Sequence, residues 1–352
     1  MGGSYSIYEV LFLKDAMSTT SPRFSPRSLI PEAFTLCLLG AVLLASLLPV
    51  GGAAAERFDE LTTVAIGLLF FLHGAKLSRS AVVAGLGHWR LHLVVMLSTF
   101  VLFPLLGVLG ARPALSLLSP ELYTGLLFLC LLPSTVQSSI ALTAMARGNV
   151  PAAICSASLS NFVGIFLTPL LAGWLILDGG PASISFDAVG RIVAQLLLPF
   201  VAGQLLRPAI GAWVDRRKPL LKYVDQGAIL LVVYGAFSEA VSGGLWASLS
   251  GPMLASLLLA CCILLALVLG IVSLASRRLG FGREDRIAIV FCGSKKSLAS
   301  GVPMAKVLFA TGSLGAVILP LMLFHQLQLM VCAVLAQHHA RRPSPAPGAV
   351  SA

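Results

Sequence analysis

Two adjacent lysines, Lys295 and Lys296, lie inside an apolar stretch, 287–306, that is long enough to cross a bilayer. A lysine at the centre of a membrane helix costs about 2.5–3.5 kcal/mol when nothing compensates its charge, so the pair needs partners, water or a function. The flanking residues allow a helix to open and expose its backbone; they are Gly293, Ser294, Ser297, Gly301 and Pro303. A broken membrane helix that carries charge is typical of the substrate or ion site of a transporter.

The alternative is that both lysines lie just outside the membrane, between a short cytoplasmic segment and a helix that begins at Ser297. Residues 287–291 would then be too short to span the bilayer and too apolar for a loop. The intramembrane interpretation is therefore favoured.

A second polar run interrupts an earlier apolar stretch, where Pro133 removes a backbone donor. The hydroxyl and amide groups that follow suit coordination of a hard cation or hydrogen bonding to a substrate, and Ser138 and Ser139 are candidate sodium ligands. The alternative is that small hydroxylated residues only let helices pack closely, or satisfy the backbone groups that a proline kink frees.

Further polar residues lie in two other apolar stretches. Ser156 and Ser160 are four residues apart and share one helix face, and Asn161 follows them. His325 and Gln326 lie in the last apolar stretch, and a purely structural histidine is the alternative there. The candidate site comprises Pro133, Ser134, Thr135, Gln137, Ser138, Ser139, Ser156, Ser160, Asn161, Gly293, Ser294, Lys295, Lys296, Ser297, His325 and Gln326.

The composition is that of a polytopic membrane protein. The chain is 57% hydrophobic and 11% charged, with a mean hydropathy of +0.94, against roughly 25% charged residues in soluble domains. The net charge is +10, and the basic residues fall in predicted loops, as membrane orientation requires. Nucleic-acid binding is therefore discarded. The seven cysteines lack metal-type spacing, and the sequence contains neither His-Glu-x-x-His nor Gly-x-Ser-x-Gly. We therefore expect neither an enzyme nor a resident cofactor.

Charged residues and segments rich in Gly and Pro divide the chain into ten predicted transmembrane helices of roughly 20 residues. The predicted spans are 32–50, 60–77, 90–110, 121–146, 150–177, 187–206, 221–241, 252–276, 285–310 and 314–337. The fourth and ninth contain the two interruptions. Five spans per half force the second half into the inverted orientation, so the layout predicts two inverted repeats, about 29–178 and 186–340.

The basic residues predict the orientation of this transmembrane domain, 29–340. Nearly all loop Lys and Arg fall on one side when the N-terminus is inside, which predicts a multi-pass protein of the cell membrane with both termini cytoplasmic. Residues 1–28 are predicted to be a flexible cytoplasmic tail. Residues 341–352, rich in Pro, are predicted to be a second, disordered tail.

Four segments together resemble the bile acid:sodium symporter superfamily, in its SBF-like branch. They are Phe-Phe-Leu-His-Gly-Ala-Lys-Leu at 70–77, Leu-Pro-Ser-Thr-Val-Gln-Ser-Ser at 132–139, Gly-Ser-Lys-Lys-Ser-Leu-Ala-Ser-Gly-Val-Pro-Met-Ala at 293–305 and Leu-Pro-Leu-Met-Leu-Phe-His-Gln-Leu-Gln-Leu-Met at 319–330. The resemblance implies ten helices in two inverted repeats, forming a panel domain (spans 1, 2, 6 and 7) and a core domain (spans 3–5 and 8–10). It also implies broken, crossing helices 4 and 9, with substrate bound between the domains.

The resemblance further implies sodium sites behind the crossing, built from Pro-Gly-Gly-x-x-Ser-Asn and Glu-x-Gly-x-Gln-Asn motifs. Here Ser139 stands at the Asn position, Phe291 at the Glu position and Lys295–Lys296 at the Gln-Asn positions. A lysine ammonium therefore either replaces the sodium charge permanently or exchanges a proton.

The sequence thus predicts a secondary active transporter of a small organic anion that works by alternating access in the lipid bilayer. Sodium is one candidate coupling ion and a proton is the other. An ion-handling or regulatory membrane protein without an organic substrate is the alternative function.

Overall fold

The computed structural model describes residues 33–76, 88–177, 186–309 and 314–341, and these are helical with short connections and no strand. The helices are α1 (Ala33–Leu47), α2 (Ala53–Lys76), α3 (Trp89–Leu109), α4 (Ala111–Leu115), α5 (Pro120–Leu131), α6 (Gln137–Met145), α7 (Val150–Ala172), α8 (Phe186–Arg216), α9 (Lys218–Ser242), α10 (Leu245–Ser248), α11 (Gly251–Arg278), α12 (Arg283–Gly293), α13 (Leu298–Leu308) and α14 (Leu314–Arg341). An all-helical fold follows from the apolar sequence, because a helix satisfies all of its backbone groups internally within lipid.

Helices α1, α2, α8 and α9 pack together as one group. The contact between α2 and α8 is close because Gly74 and Gly203 lie in it: a Cβ on Gly74 would collide with the backbone of Phe200, and a Cβ on Gly203 with the backbone of Phe71. Small residues at such interfaces let membrane helices approach each other. The sequence places these four helices where the panel spans are expected.

The remaining long helices form a second group around the two interrupted ones. Helix α14 packs against α5 and α11, α12 packs against α3 and α7, and α13 packs against α14. The buried core of this group is mostly aliphatic, with Phe103 and Phe324 in edge-to-face contact at 6.1 Å. This group is the scaffold that positions the two breaks.

The number of membrane crossings is only partly shown by helix length. Among the described residues, seven helices are long and apolar enough to cross a bilayer, and α1 and α5 are shorter apolar helices. The described part of the chain is therefore all-helical, and the protein is a multi-pass membrane protein. The ten-span inverted repeat stays a prediction.

One expected loop is absent from the described part of the chain. The stretch between the predicted sixth and seventh spans, 207–220, is helical almost throughout, because α8 continues to Arg216 and α9 begins at Lys218. Charged side chains stabilise this extension: Asp215 pairs with Lys218 at 2.9 Å and with Arg207 at 3.5 Å. Of the two predicted tails, 1–28 and 342–352 lie outside the described residues, and Arg341 ends α14.

Candidate functional site

The first interruption separates α5 from α6 at residues 132–136. Leu132 is extended, with ψ of 155°, and Pro133 follows it without an amide N–H. The last carbonyls of a helix have no partner within the helix, so this break leaves several buried oxygens that need donors. The sequence therefore predicted the break correctly.

The second interruption separates α12 from α13 at residues 294–297. The Ser297 hydroxyl accepts a hydrogen bond from the Ser300 amide at 3.2 Å and so caps the N-terminus of α13. All four residues of this break are buried, including both lysines, which are 0% exposed. The intramembrane interpretation of the lysine pair is thus supported by its burial.

The two breaks contact each other directly. The Ser134 hydroxyl donates to the carbonyl of Cys292 at 2.5 Å, and the Ser139 hydroxyl donates to that of Phe291 at 3.0 Å. In the opposite direction, the Ser297 amide donates to the carbonyl of Pro133 at 2.8 Å. Each break therefore satisfies backbone groups that the other leaves open.

The Lys296 ammonium is held by backbone oxygens. Its Nζ donates to the carbonyls of Leu132 at 2.7 Å, Thr99 at 2.8 Å and Cys130 at 2.9 Å. It also lies 4.1 Å from the centre of the Phe103 ring, within the range of a cation–π contact. Three carbonyl acceptors use all three N–H groups of the ammonium. Lys296 therefore occupies a small cation-binding site at the C-terminal end of α5, here called the Lys296 site.

The Thr99 carbonyl is available because α3 contains a wide turn at Ser98–Leu102. In this turn the Phe103 amide donates to Ser98, five residues back, and the next donor in that register is Pro104, which has no N–H. The freed oxygen of Thr99 points to Lys296. A proline five residues after Thr99 is the sequence signal that could have indicated this third ligand.

Lys295 has different surroundings. Its Nζ donates to the Ser138 hydroxyl at 3.3 Å and lies 5.9 Å from the centre of the Phe291 ring. Ser138 in turn donates to the Thr135 hydroxyl at 3.0 Å, and Thr135 contacts Ser139 at 3.0 Å. Lys295 therefore ends a chain of hydroxyl groups, whereas Lys296 ends among carbonyls.

Helix α7 fixes the first break from one side. The Ser160 hydroxyl accepts from the Ser134 amide at 3.0 Å, and the Asn161 amide donates to the Ser134 carbonyl at 2.7 Å. Asn161 also accepts from the Ser300 hydroxyl at 2.8 Å, so it joins α7 to α13. Thr168, which the sequence analysis did not single out, donates to the Leu131 carbonyl at 2.8 Å.

Helix α14 fixes the second break through Gln328. Its side chain accepts from the Lys296 amide at 2.8 Å and donates to the Lys296 carbonyl at 2.9 Å, and it contacts His325 at 2.9 Å. Gln326, the glutamine predicted from the sequence, has its Oε1 buried without a hydrogen-bond partner among the described residues. Gln328 lies about one helical turn after His325, so the two residues share a helix face, and the sequence alone could have indicated that Gln328 belongs to the site.

Four other predicted residues lie outside the hydrogen bonds that join the two breaks in the described part of the chain. Ser156 is buried and contacts the ring of His92 at 2.6 Å rather than either break. Gln137 is the first residue of α6 and is exposed. Gly293 and Ser294 end α12, where the Ser98 hydroxyl donates to the Gly293 carbonyl at 2.7 Å.

The region where the two breaks meet is here called the crossing, and its local charges follow from the helix ends. The C-terminal end of α5 carries partial negative charge, and the Lys296 ammonium lies against it, whereas hydroxyl donors cap the C-terminal end of α12. The N-terminal ends of α6 and α13 carry partial positive charge. Within the described ranges, no group of His, Cys, Asp and Glu has the arrangement of a metal site.

The family model described as the SBF-like CPA transporter family matches residues 32–341 of this chain. An uncharacterised protein of Pseudomonas aeruginosa is 61% identical over 331 residues, which cover 94% of this chain and 98% of that protein. YfeH of Escherichia coli, named as a candidate symporter, is 56% identical over 311 residues, covering 88% of this chain and 93% of YfeH. The sodium/bile acid cotransporter 7 of Xenopus tropicalis is 30% identical over 315 residues, covering 86% and 90%. The two relatives with functional names are named as transporters, not as enzymes.

Proposed function

Because the chain belongs to the SBF-like CPA transporter family, we propose that it is a secondary active transporter that moves a small organic anion across the cell membrane by alternating access. In this proposal the group of α1, α2, α8 and α9 is the panel. The group around the crossing is the core, and the anion binds between them. The proposal includes ten spans in two inverted repeats, with both termini in the cytoplasm.

The proposal rests chiefly on the Lys296 site. Three backbone carbonyls and one aromatic face surround an ammonium, which is the environment that a bound monovalent cation would need. In this proposal Lys296 is a tethered cation that takes the place of a sodium ion in the crossing. Its charge stays in the protein throughout the transport cycle, so sodium is not required.

In this proposal the substrate class follows from the positive charges around the two breaks. The N-terminal ends of α6 and α13 and the Lys295 ammonium are positive, and the Thr135, Ser138 and Ser139 hydroxyls adjoin Lys295. These groups favour a carboxylate or a sulfate. The name of the sodium/bile acid cotransporter 7 points to the same class, an organic anion with an apolar body.

Alternating access needs contacts between the two helix groups that open and close. Lys306 on α13 pairs with Asp59 on α2 at 2.6 Å, and this ion pair joins the core to the panel. Asp59 is 56% exposed, so water can compete for the pair. We propose that this pair closes one end of the crevice and breaks when the crevice opens there.

Uptake into proteoliposomes tests the proposal, with taurocholate, a small carboxylate and a small sulfate ester as radiolabelled anions. Wild-type protein should accumulate at least one of them, at the same initial rate with sodium or with choline outside. Lys295→Gln should lower that rate at least tenfold, and Lys222→Gln, an exposed lysine on α9, is the matched control. Sodium or proton gradients that dissipate through the protein without accumulation of any anion would instead support an ion-handling protein.

A further inference from the structure

A cavity of about 790 Å³ lies between α11, α12 and α14, in the core group and apart from α1, α2, α8 and α9. Cys262, Ala266 and Gly270 line it from α11, Leu327, Val331 and Leu335 from α14, and Ile287, Val290 and Phe291 from α12. Cavities of 300–1,000 Å³ with apolar walls are the common shape of small-molecule sites. Phe291 lies at the border between this cavity and the two breaks, because its carbonyl accepts from Ser139 and its ring lies 5.9 Å from the Lys295 ammonium.

The groove exists because one face of α11 carries small side chains. Cys262, Ala266, Gly270 and Ser273 recur at intervals of four, four and three residues, so they share one face of the helix. An added Cβ on Gly270 would meet no atom within 4 Å, which shows that space lies open there. The facing stripe on α14 is larger and apolar. Cys262, Ala266, Gly270 and Val331 are exposed, so the two helices form an open groove for an apolar chain.

One end of the same cavity is strongly basic. Arg277 lies at the end of α11, Arg283 and Arg286 lie in the first turn of α12, and His338 and His339 lie near the end of α14. Arg283 also donates to the His339 carbonyl at 2.7 Å, which ties the two helix ends together. No carboxylate is among the residues that line this cavity in the described part of the chain.

The dimensions match one leaflet of a membrane. From Cys262 to Arg277 the cavity follows α11 for fifteen residues, which is about 22 Å at 1.5 Å per residue. The hydrocarbon of one leaflet is about 15 Å thick, so a groove of this length runs from the headgroup level through the acyl region. A soluble anion would use only the basic end.

We infer that this cavity is a binding site for an anionic phospholipid. The phosphate lies between Arg277, Arg283 and Arg286, and an acyl chain lies along the small-residue face of α11. Basic pockets between membrane helices recognise anionic headgroups through charge-assisted hydrogen bonds, and the apolar walls add affinity only for a headgroup that carries an acyl chain. The site adjoins the two breaks at Phe291, whereas its basic residues Arg283 and Arg286 lie at the opposite end of α12, and it does not depend on the transported substrate.

Native mass spectrometry of the purified full chain tests the inference with phosphatidylglycerol and phosphatidylcholine added in detergent. Wild-type protein should retain phosphatidylglycerol at least tenfold better than phosphatidylcholine. The double variant Arg277→Gln/Arg286→Gln should lose this preference, and Arg278→Gln, an exposed neighbour outside the cavity, should keep it.

A second variant tests the acyl groove without changing charge. Gly270→Leu should fill the groove and lower phosphatidylglycerol retention at least tenfold, while Gly40→Leu, at an exposed position with equally open surroundings on α1, should not. Soluble glycerol phosphate should fail to displace the lipid. Equal retention of the two lipids, retention in Gly270→Leu and the arginine variant equal to that of wild type, or displacement by glycerol phosphate would each overturn the phospholipid assignment.

Discussion

The Lys296 ammonium donates to the Leu132 carbonyl at 2.7 Å, so a side chain from one interrupted helix closes the backbone end of the other. The Ser134 hydroxyl does the reverse when it donates to the Cys292 carbonyl. The two breaks are therefore built as one unit, and loss of a donor on either side leaves a buried oxygen unsatisfied. Such a loss costs about 1–3 kcal/mol for each oxygen.

Ser138 and Ser139 should separate binding from stability. Ser139→Ala removes the donor to Phe291 and should lower the free energy of unfolding by about 1–3 kcal/mol. Ser138→Ala removes only the contacts to Lys295 and Thr135, so it should lower anion uptake while leaving the thermal midpoint unchanged. Uptake and thermal unfolding of both variants check this, and unchanged uptake in the Ser138→Ala/Ser139→Ala double variant would return both residues to a packing role.

The ion pair of Asp59 and Lys306 should behave as a movable contact. Cysteines at both positions, joined by a short bifunctional thiol reagent, should stop anion uptake, and cleavage of the linker should restore it. The exposed Cys37 and Cys262 must first be replaced by alanine so that the reagent reports only this pair. Joining Lys76→Cys to Asp225→Cys, a pair within the panel, should leave uptake unchanged. If uptake continues with the Asp59 and Lys306 positions joined, the two groups do not separate there.

The two ends of α9 should face opposite sides of the membrane. In a background without Cys37 and Cys262, Lys222→Cys should resist an impermeant thiol reagent in intact cells and react in inside-out vesicles. Glu239→Cys, exposed near the other end of α9, should show the opposite pattern. Reaction of Lys222→Cys from outside would show that the ten-span count is wrong.

The parts of this molecule that the sequence could predict are those encoded by local pattern. Pro133 and the glycine and serine residues around the lysines indicated both breaks, because they change backbone hydrogen bonding where they stand. The contacts that fill the breaks were harder, because the main ligands of Lys296 are backbone carbonyls, which carry no residue-type signal. Pro104 indicates a free carbonyl at Thr99, and Gln328 lies one helical turn after His325, but only packing shows that both residues meet the two breaks.

The extension of α8 to Arg216 was missed for a related reason. Arg207, Pro208 and Gly211 are typical of the segments between spans, so the sequence indicated a loop. The helix instead continues through these residues, and ion pairs of Asp215 with Arg207 and Lys218 stabilise its end.

In the proposal, the Lys296 ammonium takes the place of a bound cation. Thermal unfolding of purified protein tests this role without knowledge of the substrate. Lys296→Ala removes the ammonium but leaves the three carbonyls of the Lys296 site in place. The thermal midpoint of the variant should therefore fall, and sodium or propylammonium should restore part of that loss. Wild-type protein should show no saturable stabilisation by either cation beyond that of choline. A wild-type midpoint that rises saturably with sodium, together with a Lys296→Ala midpoint equal to that of wild type, would contradict the claim.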